Sequence, residues 1–325
     1  MTGQTASARS GAPARLPLQK ILRALRMPLA ILAALLVFAA FSPQVLTVGN
    51  LRNIALQASF LMIFSLAQCV VILTRGFDLS LGFTVSLVSV VSALAMAATG
   101  AVLPGLAAGL GVGLAVGLAN GLLVGAVGLN PLVTTLGMGN ILLALASTVS
   151  GGFPVSGLPA GFNAAFAQGT FLGLPAPIWS AALLLSLLGL VLHLTPLGRS
   201  WYILGANPRA GRAAGIRAVP VLVAAYAICS LLAAAGALLM TARTGSGEPN
   251  LGGNLTLESI AAAVVGGAKL SGGEGGISAA ILGAVFITIL SNGMNLVQVD
   301  GYLQQICLGL IILASLVLSR GARRR

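Results

Sequence analysis

Groups suited to proton, metal or thiol chemistry are few in this chain. The acids are Asp78, Glu248, Glu258, Glu274 and Asp300; the histidine is His193; the cysteines are Cys69, Cys229 and Cys307. An odd number of widely spaced cysteines, all in apolar runs, argues against a disulfide framework or a zinc site. One histidine and five acids leave most metal and catalytic constellations without members.

Four short stretches hold what chemistry remains. Residues 75–82 read Arg-Gly-Phe-Asp-Leu-Ser-Leu-Gly. Gly76 permits a break in the chain, and Asp78 suits an N-cap, accepting from a backbone N–H near Ser80 or Leu81. Arg75, three residues before, is placed to pair with it. The other reading of Asp78 is an acid on a transport path, because intramembrane acids mark such paths. Residues 195–217 contain Asn207 as an N-cap, Pro208 at the first helical position and Gly215 at the C-terminal end, which predict a helix of about seven residues between them. Arg209 and Arg212 share one face of it, and Ala210, Ala213 and Ala214 give a small apolar surface. Such a helix can dock into a groove on a soluble partner, or rest on anionic lipid. Residues 270–274, Leu-Ser-Gly-Gly-Glu, look like the signature of an ABC ATPase, but the chain has no G-x-x-x-x-G-K-[ST] phosphate loop, so these glycines read as a tight turn. Glu258 sits in a first helical turn, where the macrodipole favours a carboxylate; the alternative is a substrate contact near the outer mouth.

The elements that must position these residues follow from composition. Of 325 residues, 58% are hydrophobic and 7% charged, against roughly a quarter charged in soluble domains. The net charge of +12 does not indicate a nucleic-acid partner. Between Asp78 and Arg199 lie 120 residues without Asp, Glu, Lys or Arg, and no aqueous surface can be built from them. The solvent is the lipid bilayer, and the fold class is all-α: a polytopic bundle of transmembrane helices. Spans are expected at 27–49, 53–74, 79–98, 103–128, 131–150, 173–194, 219–241, 276–298 and 301–319. A tenth, 256–270, has only ten charge-free residues, Ser259–Ala268, and is either a full span or re-entrant. Ten spans put both termini in the cytoplasm and fifteen of the seventeen basic residues inside, with Arg52 and Arg243 outside. Residues 1–26 then form a flexible basic cytoplasmic tail, 27–319 the transmembrane domain with its cytoplasmic loop at 195–217, and 320–325 a second basic tail. Gly105, Gly109, Gly113, Gly117, Gly121 and Gly125 recur every four residues. That ladder winds about 40° per step, so it should serve more than one neighbouring helix.

Taken in order, these stretches resemble the permease subunit of bacterial ABC importers for ribose, xylose and related monosaccharides, the type II importer permeases. Gly76, Asp78, Leu79, Ser80 and Gly82 match one family stretch; Arg75, Phe77 and Leu81 depart from it. Asn120-Gly121 and the run Pro131-Leu132-Val133-Thr134-Thr135-Leu136-Gly137 match a second, with Leu132 and Val133 as conservative departures. The strongest match is the cytoplasmic loop: Thr195, Gly198, Arg199, Tyr202, Gly205, Asn207, Ala210, Gly215 and Ile216. Ile260-Ala261-Ala262, Gly266-Gly267, Gly272-Gly273 and Asn292-Gly293 complete the pattern. The resemblance implies a multi-pass protein of the bacterial inner membrane that is not itself an enzyme and needs no cofactor, ATP being bound by a partner subunit. It implies two ABC ATPase subunits below, engaged by Gly198, Arg199, Asn207, Arg209, Ala210, Arg212, Gly215 and Ile216. A periplasmic sugar-binding protein lies above, with a second copy or paralogue of the permease alongside. Asp78, Ser80, Asn120, Thr134, Thr135 and Glu258 are its candidates for translocation path or helix cap. Related importers for branched-chain amino acids or nucleosides, and an ion-coupled transporter using Asp78 and Glu258, are the alternatives.

Overall fold

The computed structural model describes residues 18–321. Most of the expected basic tails, residues 1–17 and 322–325, lie outside the described residues. The helices are α1 Leu18–Phe41, α2 Val48–Leu73, α3 Leu81–Thr99, α4 Val102–Gly125, α5 Pro131–Ser150, α6 Ala160–Asn163 and α7 Ala176–Leu194. They continue with α8 Pro196–Ala206, α9 Pro208–Ala213, α10 Ala218–Thr244, α11 Leu255–Val265, α12 Ile277–Leu296 and α13 Gly301–Gly321. A hairpin of two-residue strands, β1 Thr170–Phe171 and β2 Leu174–Pro175, decorates the loop before α7.

Every expected span holds a helix. Among the described residues seven are long and apolar enough to cross a membrane: α2, α3, α4, α5, α7, α10 and α12. α1 begins at Leu18, so residues 18–26 are helix rather than tail. The segment expected at 256–270 is different. α11 has 11 residues, about 16 Å at 1.5 Å per residue, roughly half the hydrocarbon thickness.

What precedes α11 explains its length. α10 ends at Gly245, and the chain then runs back along α3 without helical structure. Gly247 lies against Ala93 and Ser89, Glu248 N–H donates to Ser89 Oγ at 3.0 Å, and Gly252 N–H donates to Ser86 Oγ at 3.0 Å. Gly82 N–H in turn donates to Thr256 Oγ at 2.9 Å. The contacts descend α3 toward its start, and α11 continues in that direction until Gly266 meets Ala279 in the first turn of α12. Backbone N–H groups away from water must find partners inside the protein; the α3 hydroxyls supply two of them, and Gly247 exchanges both backbone bonds with Val155, in the loop after α5.

α2 forms the centre of the bundle, with every residue of 63–73 buried. α12, α10, α11 and α7 pack against it, α3 packs on the far side of α10, and α4 lies along both α3 and α10. The glycine ladder crosses from one partner to the other: Gly105 faces Met96 and Ser92 of α3; Gly109 touches Val88 of α3 and Leu238 of α10; Gly113, Gly117, Gly121 and Gly125 all face α10. The ladder thus packs the interior of the bundle. A side chain at Gly117 would meet the backbone of Tyr226 and Ala227. Gly117→Leu is therefore expected to cost at least the ~1–3 kcal/mol typical of overpacking. It should lower the yield of monodisperse protein in detergent; unchanged yield and thermal midpoint would contradict this packing.

Candidate functional site

The loop between α7 and α10 is built by local signals. Thr195 caps α8, accepting from Gly198 N–H at 3.2 Å while its hydroxyl donates to Val191 O at 2.6 Å. Gly198 is buried where α8 folds back on α7, too close to Val191 and Leu192 for any side chain. Trp201 is fully buried and donates from Nε1 to Val221 O at 2.9 Å, tying α8 to the first turn of α10. The loop therefore contains two helices, and α8 went unread in the sequence because its apolar face is short.

α9 follows. Asn207 is extended (φ −151°, ψ 98°), and its Oδ1 accepts from Arg209 N–H at 3.1 Å and Ala210 N–H at 3.2 Å. The helix has six residues. It closes with Gly215 at φ +80°, where Ile216 N–H donates to Gly211 O and Gly215 N–H to Arg212 O. That pair of bonds is the Schellman arrangement. Six residues cannot hold a helix in water by propensity; the two caps fix it. Arg209, Ala210, Arg212 and Ala213 are exposed together, and neither arginine has an ion-pair partner among the described residues. Arg199 is exposed on α8, and Ile216 packs against the core.

Beneath this loop three backbones meet. Gly205, near the end of α8, touches Leu73 O at the end of α2. Gly273 N–H donates to the same carbonyl at 3.0 Å, and Tyr202 hydroxyl donates to Gly275 O at 3.1 Å. The 270–274 stretch is a glycine turn, with Gly272 and Gly273 at positive φ and Lys269 paired to Glu274. Arg75 does not pair with Asp78. Its guanidinium donates to Gly205 O at 2.5 Å and Ala206 O at 2.7 Å. A cation at a helix C-terminus satisfies carbonyls that have no intrahelical partner, and these outcompete a carboxylate already supplied with donors. Arg75 holds this position with φ at +67°.

Asp78 is fully buried. Its Oδ1 accepts from Ser80 N–H at 2.9 Å and Ser80 Oγ at 2.5 Å. It thus closes a turn ahead of α3 rather than reaching the free N–H groups inside that helix. Around it the 77–82 segment is fastened to four helices. Asn120 of α4 donates to Ser80 Oγ at 2.9 Å, and Leu79 N–H donates to Thr135 Oγ of α5 at 3.0 Å. Tyr226 of α10 donates to Phe77 O at 3.2 Å. Thr256 of α11 holds Gly82 N–H. Asp78, Ser80, Asn120 and Thr135 therefore come together. Thr134 does not join them; its hydroxyl bonds Asn130 O at 2.9 Å, one turn back in its own helix. Glu258 is also separate, and lines a cavity between α2, α10, α11 and α12. Ser86, Ser89, Thr241 and Thr256 were missed in the sequence, where hydroxyls in apolar helices carry no positional signal. Among the described residues no group of three His, Cys, Asp or Glu could hold a metal ion.

The family profile described as the permease component of the branched-chain amino acid transport system matches residues 50–316. The chain belongs to this permease family. The ribose import permease RbsC of Escherichia coli (strain K12) is 35% identical over 324 residues, 98% of both chains. RbsC of Bacillus subtilis (strain 168) is 34% identical, over 88% of this chain and 89% of that protein. The L-arabinose permease AraH of Escherichia coli (strain K12) is 32% identical, over 87% and 86% respectively. No solved structure matches. A multi-pass permease is the shared description, and seven long apolar helices accord with it.

Proposed function

We propose that this chain is the membrane-spanning subunit of an ATP-driven importer for a monosaccharide. The observation that carries the reading is α9: a rigidly capped helix presenting two unpaired arginines and small alanines on one face, in a chain without a phosphate loop. ATP chemistry then belongs to a partner ATPase that grips this face, and a periplasmic binding protein supplies the sugar from the other side. A second copy or paralogue completes the path. Similarity across almost the whole length of ribose and arabinose permeases supports the substrate class.

The same reading assigns ten crossings, the eighth being the unwound segment 245–254 followed by α11. Both termini and α9 then face the cytoplasm. Gly198, Arg199, Asn207, Arg209, Ala210, Arg212, Gly215 and Ile216 form the ATPase-coupling loop. The Gly205–Leu73–Gly273 junction passes its displacement to α2 and to the loop ahead of α12. Asp78, Ser80, Asn120 and Thr135 act as the internal clasp of the 77–82 segment rather than as substrate ligands. An ion-coupled mechanism is disfavoured, since Asp78 is enclosed and its near oxygen is occupied by Ser80.

The deciding experiment is uptake of labelled D-ribose, L-arabinose or D-allose into proteoliposomes holding the chain with its ATPase and binding protein. ATP-dependent accumulation of at least one is expected, and accumulation of none would overturn the substrate class. Orientation is checked with single cysteines at Ala164 and Arg212 in a cysteine-free background. An impermeant maleimide should reach Ala164 from the periplasm and Arg212 only from the cytoplasm. Labelling of both from one side would refute ten crossings.

A further inference from the structure

Many buried polar side chains bond within the bundle, although Ser65 Oγ, both polar atoms of Gln68, Asn120 Oδ1 and Ser230 Oγ have no partner among the described residues. Thr84, Ser86, Thr135 and Thr241 bond carbonyls of their own helices, and Asp78 and Asn120 bond Ser80. A second set of polar side chains without partners is gathered around one cavity. A cavity of about 270 Å³ between α2, α10, α11 and α12 is lined by Gln57, Arg243, Glu258, Thr288 and Ser291, together with the ring of Phe60. Among the described residues none of those five polar side chains makes a hydrogen bond or ion pair. Arg243 lies over the Phe60 ring, 5.6 Å from its centroid, as its one specific contact. Glu258 and Ser291 also line an adjoining cavity of about 370 Å³ beside α13.

The set sits toward one end of the bundle: Ser291 is five residues from the end of α12, Arg243 is exposed in the last turn of α10, and Glu258 is in the first turn of α11. In the ten-crossing arrangement this is the outer side, where the set opens from the mouth into the interior. Charged side chains inside a membrane face a bundle interior or a water-filled cavity and serve passage of a solute. This set is mixed: an acceptor-only carboxylate, a donor-only guanidinium, an amide and two hydroxyls that do both. Such a mixture beside an aromatic face suits a neutral, polyhydroxylated ring, whose hydroxyls donate and accept and whose C–H face is apolar. It suits an anion poorly, because Glu258 stands in the way.

We infer that Gln57, Phe60, Arg243, Glu258, Thr288 and Ser291 form a transient carbohydrate-binding station inside the translocation path. The inference rests on the proposed importer function and names the ligand contacts that function leaves open. The station binds weakly enough to release its sugar, while affinity for the medium is set by the binding protein. Its loss therefore appears in the rate of transport and not in the concentration for half-saturation.

The test uses the full complex in proteoliposomes with labelled D-ribose, L-arabinose or D-allose, whichever the wild type moves best. Glu258→Leu and Arg243→Leu should each lower the maximal uptake rate about tenfold or more, the worth of a hydrogen bond to a charged group. Half-saturation, co-purification of the ATPase and ATP hydrolysis should be retained, so sugar moved per ATP falls. Glu258→Gln keeps an acceptor and should retain most of the transport, whereas a zwitterionic substrate would lose it. In a cysteine-free background Ser291→Cys should react with an impermeant methanethiosulfonate from the side where the binding protein docks. Unchanged uptake per ATP in both leucine variants, or an unreactive Cys at position 291, would overturn the station while leaving the importer reading intact. Wild-type transport of leucine and of no sugar would overturn both.

Discussion

Exchanging Arg209 and Arg212 together for glutamate is expected to release the ATPase from the purified complex and reduce ATP-driven uptake to background. Both guanidinium groups are exposed on α9 and have no ion-pair partner among the described residues, so the exchange leaves the bundle untouched. It reverses the sign of a surface where only a complementary partner can dock, and like charges facing across an interface cost several kcal/mol. Membrane insertion and thermal stability of the permease alone should not change. Asn207→Ala acts on the same element differently. It removes the acceptor for two N–H groups, costs α9 about 0.5–2 kcal/mol, and should weaken co-purification without abolishing it. Were α9 a lipid-resting helix, the double exchange would alter orientation and leave the ATPase bound. Full co-purification with full uptake in the double variant would remove the coupling assignment.

The second large effect concerns Gly205. A side chain there has no space: its first carbon would strike Leu73 O and fall 2.7 Å from Gly273 N. Backbone atoms cannot rotate away as a side chain can, so the ends of α8 and α2 and the 266–276 loop must separate. Gly205→Val should therefore exceed the ~1–3 kcal/mol usual for overpacking. It should also break the Arg75 bonds to Gly205 O and Ala206 O. Little folded protein is expected, measured as monodisperse yield and thermal midpoint. Gly211→Ala is the contrasting control six residues on. Its added carbon would lie 3.6 Å from Leu204, an ordinary contact, and alanine favours helix by up to about 1 kcal/mol. That variant should be as stable as the wild type or more so. Equal stability of both would show that the three backbones do not meet as described.

The helices were legible because charge marks their ends: lipid excludes Arg and Glu, so Arg52, Arg75, Arg199 and Arg217 bracket the apolar runs. α9 was legible through Asn207, Pro208 and Gly215, since capping is local chemistry written in neighbouring residues. What failed was non-local. Arg75 and Asp78 stand one helical turn apart in sequence, which suggested a pair. The guanidinium instead reaches carbonyls 130 residues away. The unwound path from Gly245 to Asn254 was likewise hidden, because an apolar window can neither reveal nor exclude a crossing made of turns. Only its partners on α3 do so, and Ser86 and Ser89 look like any other small helical residues.

Those serines set a timetable for biogenesis. Ser86 awaits the N–H of a residue 166 positions later in the chain, and Ser89 one 159 positions later. At about 5–20 residues per second of synthesis, α3 resides in the bilayer for on the order of ten to thirty seconds before its partner segment exists. In that interval Ser86 can turn its hydroxyl onto Gly82 O, 3.3 Å away in its own helix. The segment 245–254 itself is too polar to enter lipid unaided. It must be threaded against a helix already waiting for it, so the eighth crossing is templated by the third and the ribosome's order of synthesis is part of the folding code.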